Sequence, residues 1–456
     1  MNRSANNLIL KFKSFLLKIG FENGNELPGN LFKETLMVFI IRVSAMFLSY
    51  IMSFILTHAI GASGFGSYSY AFAWVSVLNC FTVLGFDNVL VREISIYNGQ
   101  EKWKYMKGLF LWSSIFSTGI SILISMLVLI ISFSFGFPEN SEMRLPMMIA
   151  MVSLPFFSFI AILQSTLQGL NKIALGQFFG NILRILLFIA LTIIYFFALK
   201  YQLSSQKAVW LHVFATIFSC IIFIIIFLKN APLKIIKTSA SFEKKKWTIM
   251  AFGFLVLSSV NAINSQTDTI LLGAMKSAEE VGIYNIANKL SALIIFSLAI
   301  VNLILSPKIS NLYSKGEHEK LQELITKGSR ISFLLALPVC FLLIFFGKWL
   351  LILFGKEFIA GYAALFILCI GQLINLLSGS VGNILIMTHN EKYVIICLAV
   401  GALINILLNL ALIPEYGIQG AAIASSSGMI TWNILMSIFV YKKTGIQTTI
   451  LGKIIR

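Results

Sequence analysis

The residues of this chain that could do chemistry are a few charged side chains set inside long apolar segments: Arg42, Arg184, Asp268 and Lys289. A charged side chain costs about 2.5–3.5 kcal/mol to insert at the centre of a membrane-crossing helix, so each needs a physical reason for its place. Guanidinium and ammonium groups suit phosphate-bearing ligands, and a carboxylate inside a span suits a coupling ion. These residues predict a polar, net-positive site enclosed by apolar helices.

Uncharged polar residues share helical faces with these charges. Arg42 precedes Ser49 by seven residues and Asn181 precedes Arg184 by three, spacings that place each pair on one face of a helix. Such faces should turn toward protein or water, and amides and hydroxyls suit sugar hydroxyls. The predicted substrate-binding residues are Arg42, Arg184, Lys289, Ser49, Asn181, Asn261 and Asn264, and Asp268 is the candidate for coupling to an H⁺ or Na⁺ gradient.

A structural role is the alternative for each of these residues. Arg42 or Lys289 could extend to lipid headgroups, and Asp268 could neutralise Lys289 across a helix hairpin. The Asn and Ser side chains could simply join neighbouring helices.

No sequence motif indicates catalysis or a bound metal. The chain has no GxxxxGK[ST], HExxH or GxSxG pattern. Its five cysteines lie in apolar segments without CxxC spacing, and its four histidines form no metal-spaced pair. We therefore expect neither a cofactor nor a metal.

Long apolar segments position the polar residues. Hydrophobic residues make up 58% of the chain and charged residues only 12%. About 20 helical residues cross a hydrocarbon layer of roughly 30 Å. The segments predict an all-α polytopic membrane protein with about twelve spans, near 34–60, 67–90, 109–136, 145–168, 174–198, 206–228, 248–274, 283–306, 329–355, 360–386, 393–413 and 417–441.

The basic residues define the orientation of these spans. Of the 35 Lys and Arg residues, 26 fall in one alternating set of connections and termini and six in the other. Because short cytoplasmic loops are enriched in Lys and Arg, both termini are predicted to be cytoplasmic. The net charge of +17 then reflects topology and anionic headgroups, and no nucleic-acid partner is expected.

The sequence also divides into two similar halves. Gly-Ser-Tyr at 66–68 matches Gly-Ile-Tyr at 282–284 at an offset of 216, and 180–187 matches 401–408 at an offset of 221. The predicted organisation is a cytoplasmic arm with an interfacial amphipathic helix (1–33), a six-helix lobe (34–228), a basic cytoplasmic linker (229–247), a second six-helix lobe (248–441) and a cytoplasmic tail (442–456).

Short motifs along nearly the whole chain resemble a known family. They are GASGFGSY (61–68), LGFD (84–87), VREIS (91–95), DTILLG (268–273), VGIY (281–284), SPKISNLY (306–313) and NLALIPEYGIQGAA (409–422). The chain resembles the polysaccharide-flippase branch of the multidrug/oligosaccharidyl-lipid/polysaccharide exporter superfamily.

The resemblance implies two six-helix lobes arranged as a V around a central cavity. It also implies a non-enzymatic transporter of the inner (plasma) membrane. Such a protein moves an undecaprenyl-diphosphate-linked oligosaccharide from the cytoplasmic to the periplasmic leaflet, for O-antigen or another surface polysaccharide. The implied partners are the lipid-linked oligosaccharide, the bilayer and polysaccharide-assembly proteins.

Three other functions stay open. One is a cation-coupled drug antiporter of the same superfamily, although such antiporters often carry a carboxylate in span 1, where this chain has Arg42. Another is a membrane polysaccharide polymerase or ligase, which usually has a long periplasmic loop. A scaffold for polysaccharide assembly is the third, and it would not require polar residues at depth.

Overall fold

A computed structural model describes residues 29–195, 203–230, 232, 238–450 and 452. The predicted amphipathic helix of the N-terminal arm and the last residues of the tail lie outside this part of the chain. All regular structure in the described residues is helical, apart from connecting turns.

Fourteen α-helices, numbered in chain order, lie in the described part of the chain, with a π-helical turn at Phe178–Ile182 and a 3₁₀ turn at Lys356–Gly361. The α-helices are α1 Gly29–Val83, α2 Phe86–Gly99, α3 Trp103–Phe135, α4 Ser141–Met151, α5 Leu154–Gly169, α6 Ile173–Gln177, α7 Leu183–Ile193, α8 Ser205–Asn230, α9 Lys244–Met275, α10 Ala278–Ser314, α11 His318–Ile352, α12 Tyr362–Ser378, α13 Val381–Met387 and α14 Glu391–Thr444.

The helices are long and apolar enough to make a polytopic membrane protein. Within the described residues, nine helices satisfy the length and composition of a span, or ten if the bent pair α4 and α5 forms one span. Two of the nine break at glycines in non-helical conformations, α1 at Gly61 and α14 at Gly417. Counting both arms of each broken helix gives a number compatible with the twelve predicted spans.

The two breaks and the α9–α10 turn lie at the same end of the bundle, which we call the turn end. Lys276 in the α9–α10 turn donates a hydrogen bond to the Pro414 carbonyl at 2.9 Å, next to the break in α14. The charge pattern predicts that this end is external. The opposite end, where the basic residues concentrate, is called here the terminus end.

The apolar core is shared at the turn end and divided at the terminus end. One large core near the turn end joins residues of α1, α4 and α8 to residues of α10, α11 and α12. At the terminus end, one core forms around Phe86 and Trp247, and another forms around Ile309 and Ile384. Two lobes joined at one end and separate at the other are what a V-shaped arrangement requires.

The start of α9 packs on the first lobe; the sequence prediction assigns its residues up to 247 to the linker and those from 248 to the second lobe. The Trp247 indole donates to the Tyr97 hydroxyl at 3.1 Å, and Lys246 lies 3.6 Å from the Glu93 carboxylate. A Cβ on Gly85 would lie 2.5 Å from the Ala251 carbonyl oxygen, so the two backbones are in direct contact there. Packing therefore joins the first three turns of α9 to the N-terminal lobe.

The lobes meet at the turn end through two small-residue motifs at equivalent positions. Ala62 and Gly66 of α1 face Ala278 and Gly282 of α10, again at an offset of 216. A Cβ on Gly66 would lie 1.7 Å from the Ala278 carbonyl oxygen, and one on Gly282 would lie 2.2 Å from the Ala62 carbonyl oxygen. Small residues at four-residue spacing allow such close helix contacts inside membranes.

Large apolar side chains cover the outer surface of the bundle. Phe133 is 86% exposed and Trp349 is 71% exposed, although large aromatic side chains of water-soluble proteins are mostly buried. This surface faces lipid in a membrane and leaves the polar residues to the interior.

We predict that Gly66→Ala and Gly282→Ala each lower the melting temperature of the purified protein. Alanine normally stabilises a helix relative to glycine by about 0.5–1 kcal/mol, but here its methyl group must push two backbones apart. Gly119→Ala is the matched control, since a Cβ there meets nothing within 4 Å. Melting curves in detergent that are the same for Gly66→Ala and Gly119→Ala would contradict the contact.

Candidate functional site

A cavity of about 550 Å³ lies between the lobes. Its walls come from both arms of α1 and from α5, α7 and α8 in the first lobe, and from α9 and α10 in the second. The lining residues that enter the argument below are Ser49, Ser53, Tyr68, Phe157, Arg184, His212, Ser265, Asn288 and Lys289.

Arg184 reaches the cavity from the first turn of α7, directly after the π-helical turn Phe178–Ile182. π-helical turns insert one extra residue per turn and often occur at functional sites. The tight packing at Gly180, where a Cβ would lie 2.1 Å from the Gln164 side-chain oxygen, fixes this turn against α5. The guanidinium lies 4.3 Å from the centre of the Phe157 ring, and the buried Nε has no hydrogen-bond partner.

The wall beside Arg184 is aromatic and electrically neutral. The Tyr68 hydroxyl and the His212 Nδ1 are 2.5 Å apart, and the His212 ring stacks on Phe72 at 4.2 Å and on Phe188 at 4.7 Å. Aromatic faces attract a cation through their quadrupole without cancelling its charge. Arg184 is therefore stabilised by its surroundings and still available to an anion.

Lys289 enters the cavity from α10 and bonds across the lobe interface to α1. Its ammonium group donates to the Ser53 hydroxyl at 2.6 Å and to the Ser49 carbonyl at 3.0 Å. The Tyr50 hydroxyl donates in turn to the Lys289 carbonyl at 2.5 Å. The two partners of the ammonium, the Ser53 hydroxyl and the Ser49 carbonyl, are neutral, so they hold the ammonium in place but leave its charge uncompensated.

Among the residues that the structure describes, the lining of this cavity contains no Asp or Glu. Among the described residues, no carboxylate lies within ion-pair distance of Arg184 or Lys289. The ion pair between Asp268 and Lys289, which the sequence leaves open, is not formed. The cavity therefore has two half-buried cations from opposite lobes and a net positive potential, as the sequence predicts.

Asp268 lies in a smaller cavity of about 170 Å³ in the C-terminal lobe. Its carboxylate accepts four hydrogen bonds: from the Asn405 and Asn409 amides at 2.8 and 2.7 Å, from the Tyr284 hydroxyl at 2.8 Å and from the Ser425 hydroxyl. Hydrogen bonds to the charged form of a carboxylate stabilise that form. Only 5% of Asp268 is exposed, so its negative charge is held by neutral donors inside the lobe.

Several amide oxygens around Asp268 have no donor. The Oδ1 atoms of Asn405, Asn409 and Asn264 are buried without a hydrogen-bond partner, although buried acceptors are usually satisfied. Three unpartnered oxygens close to a carboxylate form a set of ligands suited to a hard cation.

The predicted site residues fall into three groups in the structure. Arg184, Lys289 and Ser49 line the larger cavity, and Asn264 and Asp268 line the smaller one. The remaining three line neither cavity: Arg42 and Asn261 are exposed side chains, and Asn181 donates to the Gln177 side chain at 2.7 Å. The substrate roles of all these residues stay predictions.

The sequence did not single out several side chains that complete the two cavities. His212 looked isolated near the end of a span, and Tyr68 and Tyr284 appeared only as markers of the internal repeat. One signal was present for Asn405, because the repeat aligns it with Arg184 at an offset of 221. Recognition of Trp432 and Ser425 requires the helix packing itself.

Two helical lobes, an apolar outer surface and a cationic cavity between the lobes define a multi-pass membrane protein with a polar interior. The chain belongs to the polysaccharide biosynthesis protein family, whose family model matches residues 31–313, more than half of its length. The MatE family model also matches residues 250–411. The resemblance seen in the sequence motifs is thereby confirmed.

Solved structures share the fold at low sequence identity. An inward-facing multidrug resistance MATE family transporter of the MOP superfamily superposes with a TM-score of 0.71 at 13% identity, covering 89% of this chain and 98% of that one. The lipid II flippase MurJ, in an inward closed conformation, superposes with a TM-score of 0.67 at 17% identity, covering 89% of this chain and 87% of that one. The predicted all-α class is confirmed.

A curated relative is similar over a shorter segment. The probable low-salt glycan biosynthesis flippase Agl15 of Haloferax volcanii is 23% identical over 176 residues, which is 38% of this chain and 37% of that protein. The match thus spans little more than a third of the length of the relative.

We predict that Asp268→Leu lowers stability by about 2–5 kcal/mol, because four buried donors lose their acceptor and each unsatisfied group costs about 1–3 kcal/mol before relaxation. Asp87→Leu is the matched control, since the Asp87 carboxylate accepts one side-chain hydrogen bond, from Asn88 at 3.1 Å. Thermal melting of both purified variants measures the difference. Equal losses would show that the Asp268 hydrogen bonds contribute little to the fold.

Proposed function

We propose that this protein is a flippase for a lipid-linked oligosaccharide. In its specific form, the proposal is that it moves an undecaprenyl-diphosphate-linked repeat unit from the cytoplasmic to the periplasmic leaflet of the inner membrane, for O-antigen or another surface polysaccharide. The observation that supports it is the pair Arg184 and Lys289, which come from opposite lobes to one cavity without a carboxylate.

A diphosphate is the ligand that best fits this pair of cations. Charge-assisted hydrogen bonds from guanidinium and ammonium groups to phosphate oxygens are about twice as strong as neutral ones. The effect increases in a partly buried site because the effective dielectric constant is lower than that of water. The Arg184 side chain lines the cavity, and the Lys289 ammonium is held by neutral oxygens that a phosphate oxygen can replace.

The position of Lys289 connects cargo binding to movement of the lobes. Its bonds to Ser49 and Ser53 cross the interface between α10 and α1. A diphosphate that binds the Lys289 ammonium in place of Ser49 and Ser53 would weaken this contact between the lobes. The small-residue contact at the turn end would remain. Alternating access of the cavity to the two sides of the membrane then follows from rocking of the lobes.

The family and the relatives support the same class of cargo. The family model describes polysaccharide biosynthesis proteins, and Agl15 is named a probable flippase of glycan biosynthesis. The folds of MATE transporters and of MurJ are equally compatible with drug export and with lipid flipping. The positive cavity favours the flippase over an exporter of cationic drugs, since like charges repel. The bilayer and the proteins that assemble the polysaccharide are its proposed partners.

We further propose that the ion coupled to transport is Na⁺ bound at Asp268. A proton would neutralise the carboxylate but would leave the neighbouring amide oxygens without a donor. A sodium ion would be held by the carboxylate together with the oxygens of Asn405 and Asn409 once these amides rotate to present their oxygens in place of their Nδ2 donors, which matches the preference of hard cations for oxygen ligands.

We predict that Arg184→Ala and Lys289→Ala each reduce export of surface polysaccharide at least tenfold in a strain that lacks the native gene. Each removes a charge-assisted contact worth about 1.5–3 kcal/mol. Arg184→Lys should retain part of the activity if charge dominates over the planar guanidinium.

Gel analysis of surface polysaccharide at matched expression measures the effect, and Lys356→Ala, an exposed cation outside both cavities, is the control. Wild-type polysaccharide levels in Arg184→Ala and Lys289→Ala would remove both residues from the site. In the deletion strain, the lipid-linked repeat unit should accumulate in the cytoplasmic leaflet. Accumulation in the periplasmic leaflet would favour a polymerase or ligase instead.

We predict that NaCl raises the melting temperature of the wild-type protein relative to choline chloride at equal ionic strength. A ligand present at 100 times its dissociation constant stabilises the folded state by about 2.7 kcal/mol. Asn405→Ala should abolish the difference because it removes one proposed ligand. Equal melting temperatures in the two salts, together with transport that responds to pH, would point to a proton instead.

A further inference from the structure

We infer that the smaller cavity, which we call the Trp432 chamber, is the binding site for the first sugar of the cargo. Its walls include Trp432, Met429, Asn264, Ser265 and Asn288. The inference rests on the proposed function, because it assigns one part of the lipid-linked oligosaccharide to one part of the cavity system.

The Trp432 chamber adjoins the cationic cavity. Ser265 and Asn288 line both spaces, so the two are neighbours across a single layer of side chains. In a lipid-linked oligosaccharide the first sugar is bonded directly to the diphosphate. A diphosphate held between Arg184 and Lys289 would therefore place this sugar in an adjoining space.

The cationic cavity and the Trp432 chamber differ in charge, and this difference determines which groups each can bind. The cationic cavity has Arg184 and Lys289 and no carboxylate, whereas the lining of the Trp432 chamber includes the Asp268 carboxylate and no Lys or Arg. The ion-free Asp268 carboxylate would repel a phosphate group there, since like charges at short range disfavour each other. An uncharged polyhydroxylated ring meets no such penalty.

The polar groups of the chamber suit hydroxyl groups. Asn264 donates its amide to the Leu398 carbonyl at 3.3 Å, while its buried Oδ1 has no partner. A hydroxyl group both donates and accepts, so it can pair with polar side chains such as Asn264 and Asn288, which line the chamber. The oxygens of Asn405 and Asn409 remain for the ion proposed at Asp268, so sugar and ion use different walls.

Trp432 supplies a flat and rigid apolar wall. A Cβ on Gly401 would lie 2.8 Å from Cε3 of the indole, so the ring packs directly on the backbone of the neighbouring arm of α14. An aromatic face held in this way offers a large apolar surface at little cost in conformational freedom. The C–H face of a sugar ring is complementary to such a surface.

The size of the chamber limits the occupant to about one ring. Its volume of about 170 Å³ corresponds to roughly six water molecules at about 30 Å³ each. One sugar fits this space, and a whole repeat unit does not. The remaining sugars would extend into the larger cavity or beyond it.

The test compares two probes on the reconstituted full-length protein. One is undecaprenyl diphosphate, and the other is the same lipid with a single N-acetylhexosamine on its terminal phosphate. We expect the wild type to bind the sugar-bearing probe at least tenfold more tightly. Trp432→Ala should lower the affinity for the sugar-bearing probe about tenfold and leave the affinity for undecaprenyl diphosphate unchanged. Trp432→Phe should retain most of the preference for the sugar-bearing probe.

Two further variants separate this inference from the proposed function. Trp349→Ala, which removes an exposed tryptophan on the outer surface, should change the affinity for neither probe. Arg184→Ala should lower the affinity for both probes by the same factor. A wild type that does not discriminate between the probes, or an equal loss of both in Trp432→Ala, would overturn the sugar site while leaving the diphosphate site intact. Failure of the wild type to bind either probe would refute the proposed function itself.

Discussion

The structure depends on one constraint: a charge among apolar helices must be stabilised locally, since the surrounding lipid offers no hydrogen bonds. Arg184 is stabilised by an aromatic face, Lys289 by a carbonyl and a hydroxyl, and Asp268 by four neutral donors. Because every partner is neutral, none of the three charges cancels another. The interior therefore keeps a positive cavity and a separate negative centre, and this separation underlies both proposed binding functions.

Positions that the predicted internal repeat pairs differ in chemistry between the two lobes. Tyr68 and Tyr284 occupy equivalent positions and are both buried, yet the first bonds to His212 and the second to Asp268. Arg184 and Asn405 are also equivalent in the repeat; the former faces the positive cavity and the latter donates to a carboxylate. A duplicated frame can diverge in this way because backbone packing depends on small residues, whereas charge depends on single side chains. The cavity between the lobes therefore carries cations from both lobes, and the C-terminal lobe holds a separate carboxylate.

The lobe interface connects these sites to movement. At the turn end it includes backbone contacts at Gly66 and Gly282 and a shared core of apolar side chains. Close to the cavity it consists of hydrogen bonds from Lys289 to α1, which a ligand can replace. A ligand that replaces the Lys289 hydrogen bonds can therefore change the free energy of one arrangement of the lobes more than that of another. Any ligand-driven movement requires such a difference.

The sequence by itself determined the helical class, the internal repeat and the presence of buried cations, because membrane insertion depends on local composition and helical faces follow a fixed period. It also indicated Arg184, Lys289 and Asp268, since charges inside apolar runs are rare. Only the tertiary structure decided which polar residues meet. The π-helical turn at Phe178–Ile182 changes the helical phase before Arg184, so Asn181 bonds to Gln177 instead of lining the cavity. Tyr68 contacts His212, which is 144 positions away in the sequence. No local periodicity encodes such a contact, because it depends on the rotation and kinks of the helices and on the packing of the lobes.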